Sequence, residues 1–234
     1  MSSISDNLQA VKDRIATAAR EAGRDPQDVR LLAVSKTFGP DAVLEAAHAG
    51  QRAFGENYLQ EALDKISAVR EAQPDLLLEW HFIGPIQSNK TRPIAEQFDW
   101  VHSVEREKIA QRLSEQRPSQ LPPLNICLQV NISGEASKSG VAPEEVLALA
   151  QKVASMPHLK LRGLMAIPEP EGDIDRQRLP FRKMRLLMDE LRAHGLELDT
   201  LSMGMSADMD AAIAEGATIV RVGTAIFGQR HYAN

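Results

Sequence analysis

A lone lysine, Lys36, ends the apolar run Leu31-Leu32-Ala33-Val34-Ser35, and Thr37-Phe38-Gly39-Pro40 turns the chain directly after it. An amine at the mouth of a hydrophobic strand loses part of its hydration, which disfavours the ammonium form and leaves a nucleophile suited to Schiff-base chemistry. Two later segments carry groups suited to an anion. The run Ser202-Met203-Gly204-Met205-Ser206 leads into a stretch ending at Gly216, so Ser206 is expected to cap a helix over 206–215 whose first amides favour an anion. Asp208 and Asp210 already complement that dipole, so a capped helix without a ligand is the plainer reading of this segment alone. Further on, Ile219-Val220-Arg221-Val222-Gly223-Thr224 sets an arginine two residues before a glycine whose missing side chain lets backbone amides approach a phosphate.

These groups act together only if the fold brings distant segments to one corner. Ile4, Leu8, Val11, Ile15, Ala18 and Ala22 recur with helical spacing before Gly23, which predicts an N-terminal amphipathic helix. Short apolar runs then follow near 30–36, 53–57, 80–84, 100–104, 125–131, 162–167, 200–204 and 219–227. Helices are expected at 40–49, 57–72, 89–97, 105–116, 143–155, 176–194 and 206–215. Alternating strands and helices predict a parallel sheet covered on both faces, and its economical closure is an α/β fold, a (β/α)8 TIM barrel with an extra N-terminal helix. A doubly wound open sheet competes, but the first strand ends in Ser-Lys-Thr-Phe-Gly and not in a glycine-rich dinucleotide turn. Arg117 to Pro123 and Pro168 to Pro180 read as long connections within one domain spanning 1–234.

In such a barrel the reactive groups gather at the C-terminal ends of the strands, and strand eight neighbours strand one. Lys36 then faces the anion-binding elements of strands seven and eight. An amine beside a phosphate site suits a phosphorylated aldehyde, with pyridoxal 5′-phosphate (PLP) as the candidate.

The bulk composition is compatible. A net charge of -5 argues against a nucleic-acid surface, and 43% hydrophobic with 25% charged residues is ordinary globular usage. Cys127, the one cysteine, lies in an apolar run, so packing is expected of it and a reducing cytoplasm is the simplest location. Asp6, Lys12, Asp13 and Arg14 leave no signal-peptide core, and no apolar run is long enough for a bilayer.

Five ordered segments carry a family resemblance: Ala33-Val34-Ser35-Lys36-Thr37, Phe54-Gly55-Glu56-Asn57, Trp80-His81-Phe82-Ile83-Gly84-Pro85-Ile86-Gln87-Ser88-Asn89-Lys90, Leu201-Ser202-Met203-Gly204-Met205-Ser206 and Val220-Arg221-Val222-Gly223-Thr224-Ala225-Ile226-Phe227-Gly228. Over essentially its whole length the chain resembles the pyridoxal phosphate homeostasis protein family. The resemblance implies one barrel similar to the N-terminal domain of alanine racemase, with PLP held as a Schiff base on Lys36. It implies phosphate contacts at Ser206, Gly223 and Thr224 in a loop shaped by Gly204 and Met205, Arg221 near the pyridine nitrogen, and Asn57 beside the ring.

A permanent cation beside the ring nitrogen disfavours its protonation and weakens the electron sink. Racemisation also needs acid/base groups on both faces of the substrate carbon, and alanine racemase draws its second group from another domain, for which a chain ending at Asn234 is expected to have no room. The expected role is therefore a monomeric carrier that buffers PLP and delivers it to apo-enzymes, with a PLP-dependent racemase or a cofactor-free sugar-phosphate lyase as alternatives. Gly84 to Thr91 nearly matches a nucleotide-binding loop, but Asn89 replaces its second glycine and Pro85 removes a donor. His81 reads as a satisfied core histidine. Lys138, in the Gly/Ser-rich loop after strand five, is a candidate for a secondary role in cofactor transfer.

Overall fold

Strands covered on both faces alternate inward and outward side chains with a period of two. In the computed structural model, which describes residues 3–136 and 139–229, that alternation sorts the sequence into a barrel interior and an outer layer under the helices. In chain order the elements are α1 (Ile4–Glu21), β1 (Arg30–Val34), α2 (Pro40–His48), β2 (Ala53–Glu56), α3 (Leu59–Ala72), β3 (Glu79–Phe82), α4 (Thr91–Gln97), β4 (Trp100–Val104), α5 (Glu107–Gln116), β5 (Leu124–Gln129), α6 (Val146–Ala154), β6 (Leu159–Met165), α7 (Ile174–Ala193), β7 (Thr200–Ser202), α8 (Met209–Ala214), β8 (Ile219–Val222) and α9 (Thr224–Phe227). Neighbouring strands pair in parallel from β1 to β8, and β8 closes on β1 with Arg221 opposite Leu32. This is the expected (β/α)8 barrel with an additional helix at its N-terminal side.

Outward residues such as Ala33, Phe54, Phe82 and Val101 join the helices in the larger core. Leu32, Ala53, Trp100, Cys127, Met165 and Ile219 form a smaller cluster inside the barrel. The same interior holds His81 and His102, both fully buried. Burial holds both imidazoles below their ordinary titration range, His102 well below it. The unfolded chain therefore takes up these protons first, and stability is lost as pH falls below about 6.5, by about 1.4 kcal/mol per pH unit for each histidine until its folded pKa is reached. Urea midpoints measured at about pH 7.5 and about pH 5.5 are expected to fall with acidity, and to fall less in His102→Gln. A level midpoint would count against neutral histidines in the folded protein.

Of the boundaries that differ from the sequence reading, three bear on the C-terminal half of the site and its connections. The strand expected over 219–227 ends at Val222, because Gly223 breaks it and Thr224–Phe227 turns into α9. The helix expected from Ser206 begins only at Met209, since Ser206 to Asp208 form a turn in which the Asp208 carboxylate accepts from the Met205 amide at 2.7 Å. The connection expected to run to Pro180 stops at Asp173, whose side chain caps α7 by accepting from the Arg176 amide. Pro180 then sits inside α7, in a helix anchored by buried Phe181, Met184, Met188 and Leu191. Lys138 lies outside the described residues. Among the described residues no helix is long and apolar enough to cross a membrane.

Candidate functional site

Parity along the strands selects the residues at the C-terminal mouth of the barrel. Counting by two from interior Leu32, Ala53 and Ile219 leads to Lys36, Asn57 and Gly223. These line one cavity of about 320 Å³ together with Val34, Phe38, Ile83, Ile167, Met205, Ser206, Ala207, Arg221 and Thr224. That volume lies in the range of small-molecule sites, with apolar walls and a few convergent polar groups.

The turn carrying Lys36 is strapped from behind. Thr37 has a φ of 69°, a left-handed conformation that a β-branched side chain rarely adopts. Its amide donates to Glu61 Oε1 at 2.6 Å. On the preceding side, Ser35 Oγ donates to Glu56 Oε1 at 2.6 Å and the Ser35 carbonyl accepts from Lys65 Nζ at 2.8 Å. Lys65 completes the cluster with Glu56 at 2.6 Å and Glu61 at 3.0 Å, the Glu56 and Lys65 side chains being almost fully buried. Burial pushes the Glu56 carboxyl above its ordinary range against the pull of Lys65. The buried Glu56–Lys65 pair between β2 and α3 thus holds the backbone before the cavity lysine, and Glu61, paired to Lys65, holds it after.

The loops from β7 and β8 form the opposite wall. Arg14 of α1 donates to the Ser206 carbonyl at 2.9 Å and pairs with Asp210, so the first helix grips the Ser206 turn. Asn7 donates to the Ile226 carbonyl at 3.0 Å and does the same for α9. Gly204 is buried beneath this wall and is not a lining residue; its φ of 98° and the Ala212 Cβ, 2.6 Å from where its own Cβ would lie, leave room for glycine. A Cβ at Gly223 would stand 3.1 Å from the Val34 carbonyl, so this glycine serves the close approach of β8 to β1. The sequence reading had credited it only with access for a phosphate.

Arg221 is buried at the cavity floor, where Nη1 donates to Ser202 Oγ at 2.7 Å and Nη2 to the Ala166 carbonyl at 3.0 Å. Burial lowers its pKa to about 10, which leaves it a cation at neutral pH. Asn57 Oδ1 is buried without a hydrogen-bond partner among the described residues. A buried carbonyl oxygen left unpaired is costly, and a ligand donor would satisfy it. Cys127 is no competitor as nucleophile, since burial pushes its thiol up to about 12. Met203 belongs to the core, whereas Met205 lines the cavity.

Of the eight candidate residues, Lys36, Asn57, Met205, Ser206, Arg221, Gly223 and Thr224 share this cavity and Gly204 supports it. The sequence reading missed the apolar lining residues Phe38, Ile83 and Ile167, the Glu56–Lys65 strap and the part played by Gly84. A Cβ on Gly84 would collide with the backbone of Asn57. Gly84→Ala is therefore expected to displace Asn57 and to cost about 1–3 kcal/mol of stability, the usual range for overpacking. Chemical denaturation checks this, and an unchanged midpoint would show that the contact relaxes freely. The segment from Gly84 runs into a 3-10 turn at Ser88–Lys90 and then α4, with the Gly84 carbonyl accepting from Ser103 Oγ.

Comparison with known proteins agrees with this architecture. The alanine racemase N-terminal domain model matches residues 7–231. The pyridoxal phosphate homeostasis protein of Pseudomonas aeruginosa is 63% identical over 99% of this chain and 98% of its own length. That of Escherichia coli K12 is 54% identical over 100% and 99%. PipY of Synechococcus elongatus, solved with PLP bound, superposes with a TM-score of 0.82 at 37% identity, covering 96% of this chain and 100% of its own. Alanine racemase from Corynebacterium glutamicum shares the fold at 20% identity and a TM-score of 0.69, with 97% of this chain covering 63% of that one. The chain belongs to the alanine racemase N-terminal domain family and, within it, to the pyridoxal phosphate homeostasis proteins.

Proposed function

We propose that this chain binds PLP in the cavity at the C-terminal mouth of the barrel, holds it reversibly through Lys36, and serves to buffer and deliver it. The observation that carries the reading is the meeting of Lys36, Ser206, Arg221, Gly223 and Thr224 on one cavity of cofactor size, with the buried Asn57 Oδ1, unpartnered among the described residues, as a waiting acceptor. A relative at 37% identity that was solved with PLP supports the same ligand.

The residues fit the group. Ser206 and Thr224 supply hydroxyl donors, and the backbone around Gly223 supplies amides, for a phosphate. Lys36 enters from the opposite wall to meet an aldehyde, while Phe38, Ile83 and Ile167 give the ring apolar cover. Bound PLP supplies an aldehyde that condenses with amines and a ring that withdraws electrons. Arg221 offers that ring a donor-only cation, whereas a strong electron sink needs a carboxylate to stabilise a protonated ring nitrogen. Its charge therefore favours holding the cofactor over turning a substrate. The whole of 1–234 acts in this reading as one cofactor-binding unit that works as a monomer in the cytoplasm and hands PLP to apo-enzymes.

The test loads the purified protein with PLP, follows its visible absorption, and then adds either a PLP-requiring apo-enzyme or a single amino-acid enantiomer. Recovery of the apo-enzyme's activity together with loss of the carrier's band supports the reading. Sustained racemisation above a free-PLP background would overturn it in favour of a racemase, and absence of any band would remove PLP altogether.

A further inference from the structure

Behind Arg221 the barrel interior contains an unbroken line of polar contacts that the cavity itself does not use. Ser202 Oγ, which accepts from Arg221, lies 2.7 Å from His102 Nδ1. His102 Nε2 lies 2.7 Å from His81 Nδ1, and His81 Nε2 lies 2.7 Å from Glu79 Oε1. Glu79 is at the start of β3, at the other end of the barrel, where Arg30 reaches the same carboxylate oxygen at 2.8 Å. The line runs from β8 through β7 and β4 to β3, and Ser202, His102 and His81 on it are buried.

The carboxylate end of this line, with both rings neutral, fixes the direction of every bond in it. A guanidinium can only donate and a carboxylate can only accept. Burial opposes ionisation of Glu79, but the hydrogen bond from His81 and the bond and charge of Arg30 hold its carboxyl below the usual carboxylate range, so it is ionised at neutral pH. His81 must then carry its hydrogen on Nε2 and accept at Nδ1. His102 must donate from Nε2 and accept at Nδ1, and the Ser202 hydroxyl must donate to it while accepting from Arg221. Each neutral ring has one N–H and one lone pair, and each is used once. The reverse polarity would set the lone pair of His81 Nε2 against the Glu79 carboxylate, two acceptors facing each other at 2.7 Å. Trp100, stacked on His81 at 5.2 Å and 7°, holds that ring in plane.

We propose that Glu79, His81, His102 and Ser202 are positioning residues for Arg221, a one-way chain of hydrogen bonds that fixes the plane of its guanidinium at the cavity floor and ties its charge to a carboxylate at the far end of the barrel. The proposal rests on the PLP reading only where ligand binding is concerned, because tautomers and guanidinium motion belong to the protein alone. Arg221 thus meets the ring end of bound PLP in one orientation, and a change at Glu79 is felt at the cofactor.

Nitrogen-15 imidazole spectra of the histidine-labelled protein at neutral pH are expected to show His81 and His102 neutral with the hydrogen on Nε2. A hydrogen on Nδ1 of either ring, or an imidazolium, would overturn the chain. Guanidinium rotation of Arg221 is expected to be slow in the wild type, fast in Ser202→Ala and slow again in Ser202→Thr, which keeps the hydroxyl. Equal rates in all three would overturn positioning. With PLP, Ser202→Ala is expected to bind about tenfold more weakly, Ser202→Thr is expected to restore most of that loss, and Glu79→Gln is expected to shift the visible band without touching the cavity. Wild-type affinity and an unshifted band in both Ser202→Ala and Glu79→Gln would sink the proposal. If the wild type shows no PLP band, the cofactor reading fails and the tautomer and rotation measurements decide the chain alone.

Discussion

Lys36→Ala is expected to abolish covalent retention of PLP while leaving the barrel folded. Lys36 projects from the turn after β1 into the cavity and is half-buried, so its truncation removes no part of either hydrophobic core. Wild-type protein mixed with PLP and reduced with borohydride is expected to gain the mass of the reduced cofactor on the peptide containing Lys36. The alanine variant is expected to gain none there and to lose the visible band. Ser206, Thr224 and Arg221 remain, so residual binding persists, weaker by about tenfold to a hundredfold if the lost interaction resembles a hydrogen bond to a charged group, about 1.5–3 kcal/mol. An undiminished mass gain distributed over other lysines would show that the cavity does not select its amine.

The second large effect is expected at Lys65, which never touches the cavity. Lys65→Met leaves the Glu56 carboxylate buried with its charge partner gone, and Glu56 Oε2 already lacks a partner among the described residues. Removing one member of a buried pair costs about 3–5 kcal/mol, whereas replacing both members by apolar residues is often neutral. Urea unfolding of Lys65→Met is expected to show that loss, and Glu56→Leu combined with Lys65→Met is expected to recover most of it. Even the recovered double variant lacks the bonds to the Ser35 hydroxyl and carbonyl, so the turn at Thr37 is released on one side. Such a variant is expected to regain stability but not full PLP affinity. Recovery of both would mean that the strap supports the fold and nothing more.

Much of this was legible in the residues. The run ending at Lys36 and the Ser206 and Gly223 segments predict a site at the mouth of a barrel, because strand-end residues of a closed parallel sheet meet there whatever lies between them. What could not be read depends on partners distant in sequence. Lys65 looks like one more charge on an amphipathic helix, and only its packing against β2 reveals a buried ion pair. His81 reads as a satisfied core histidine, and nothing local sets His102 beside it. Their contact, and that of His102 with Ser202 a hundred residues later, follows from the barrel's closure and from no local pattern. The late start of α8 was hidden for a local reason: Ser206 and Asp208 are both good caps, and the one that closes a turn on Met205 wins.

The pairing of β8 with β1 also has a meaning in time. The cavity takes its lysine from the first strand and its opposite wall from the last two, and Arg14 and Asn7 of α1 fasten that wall from the front of the chain. During synthesis, then, the amine emerges early and waits through almost the whole length of the polypeptide for the strand beside it. Contacts of such long separation form slowly. On the proposed reading, a reactive aldehyde finds its built receptor only after β7 and β8 have closed the barrel on β1, and cofactor capture becomes a report of that closure.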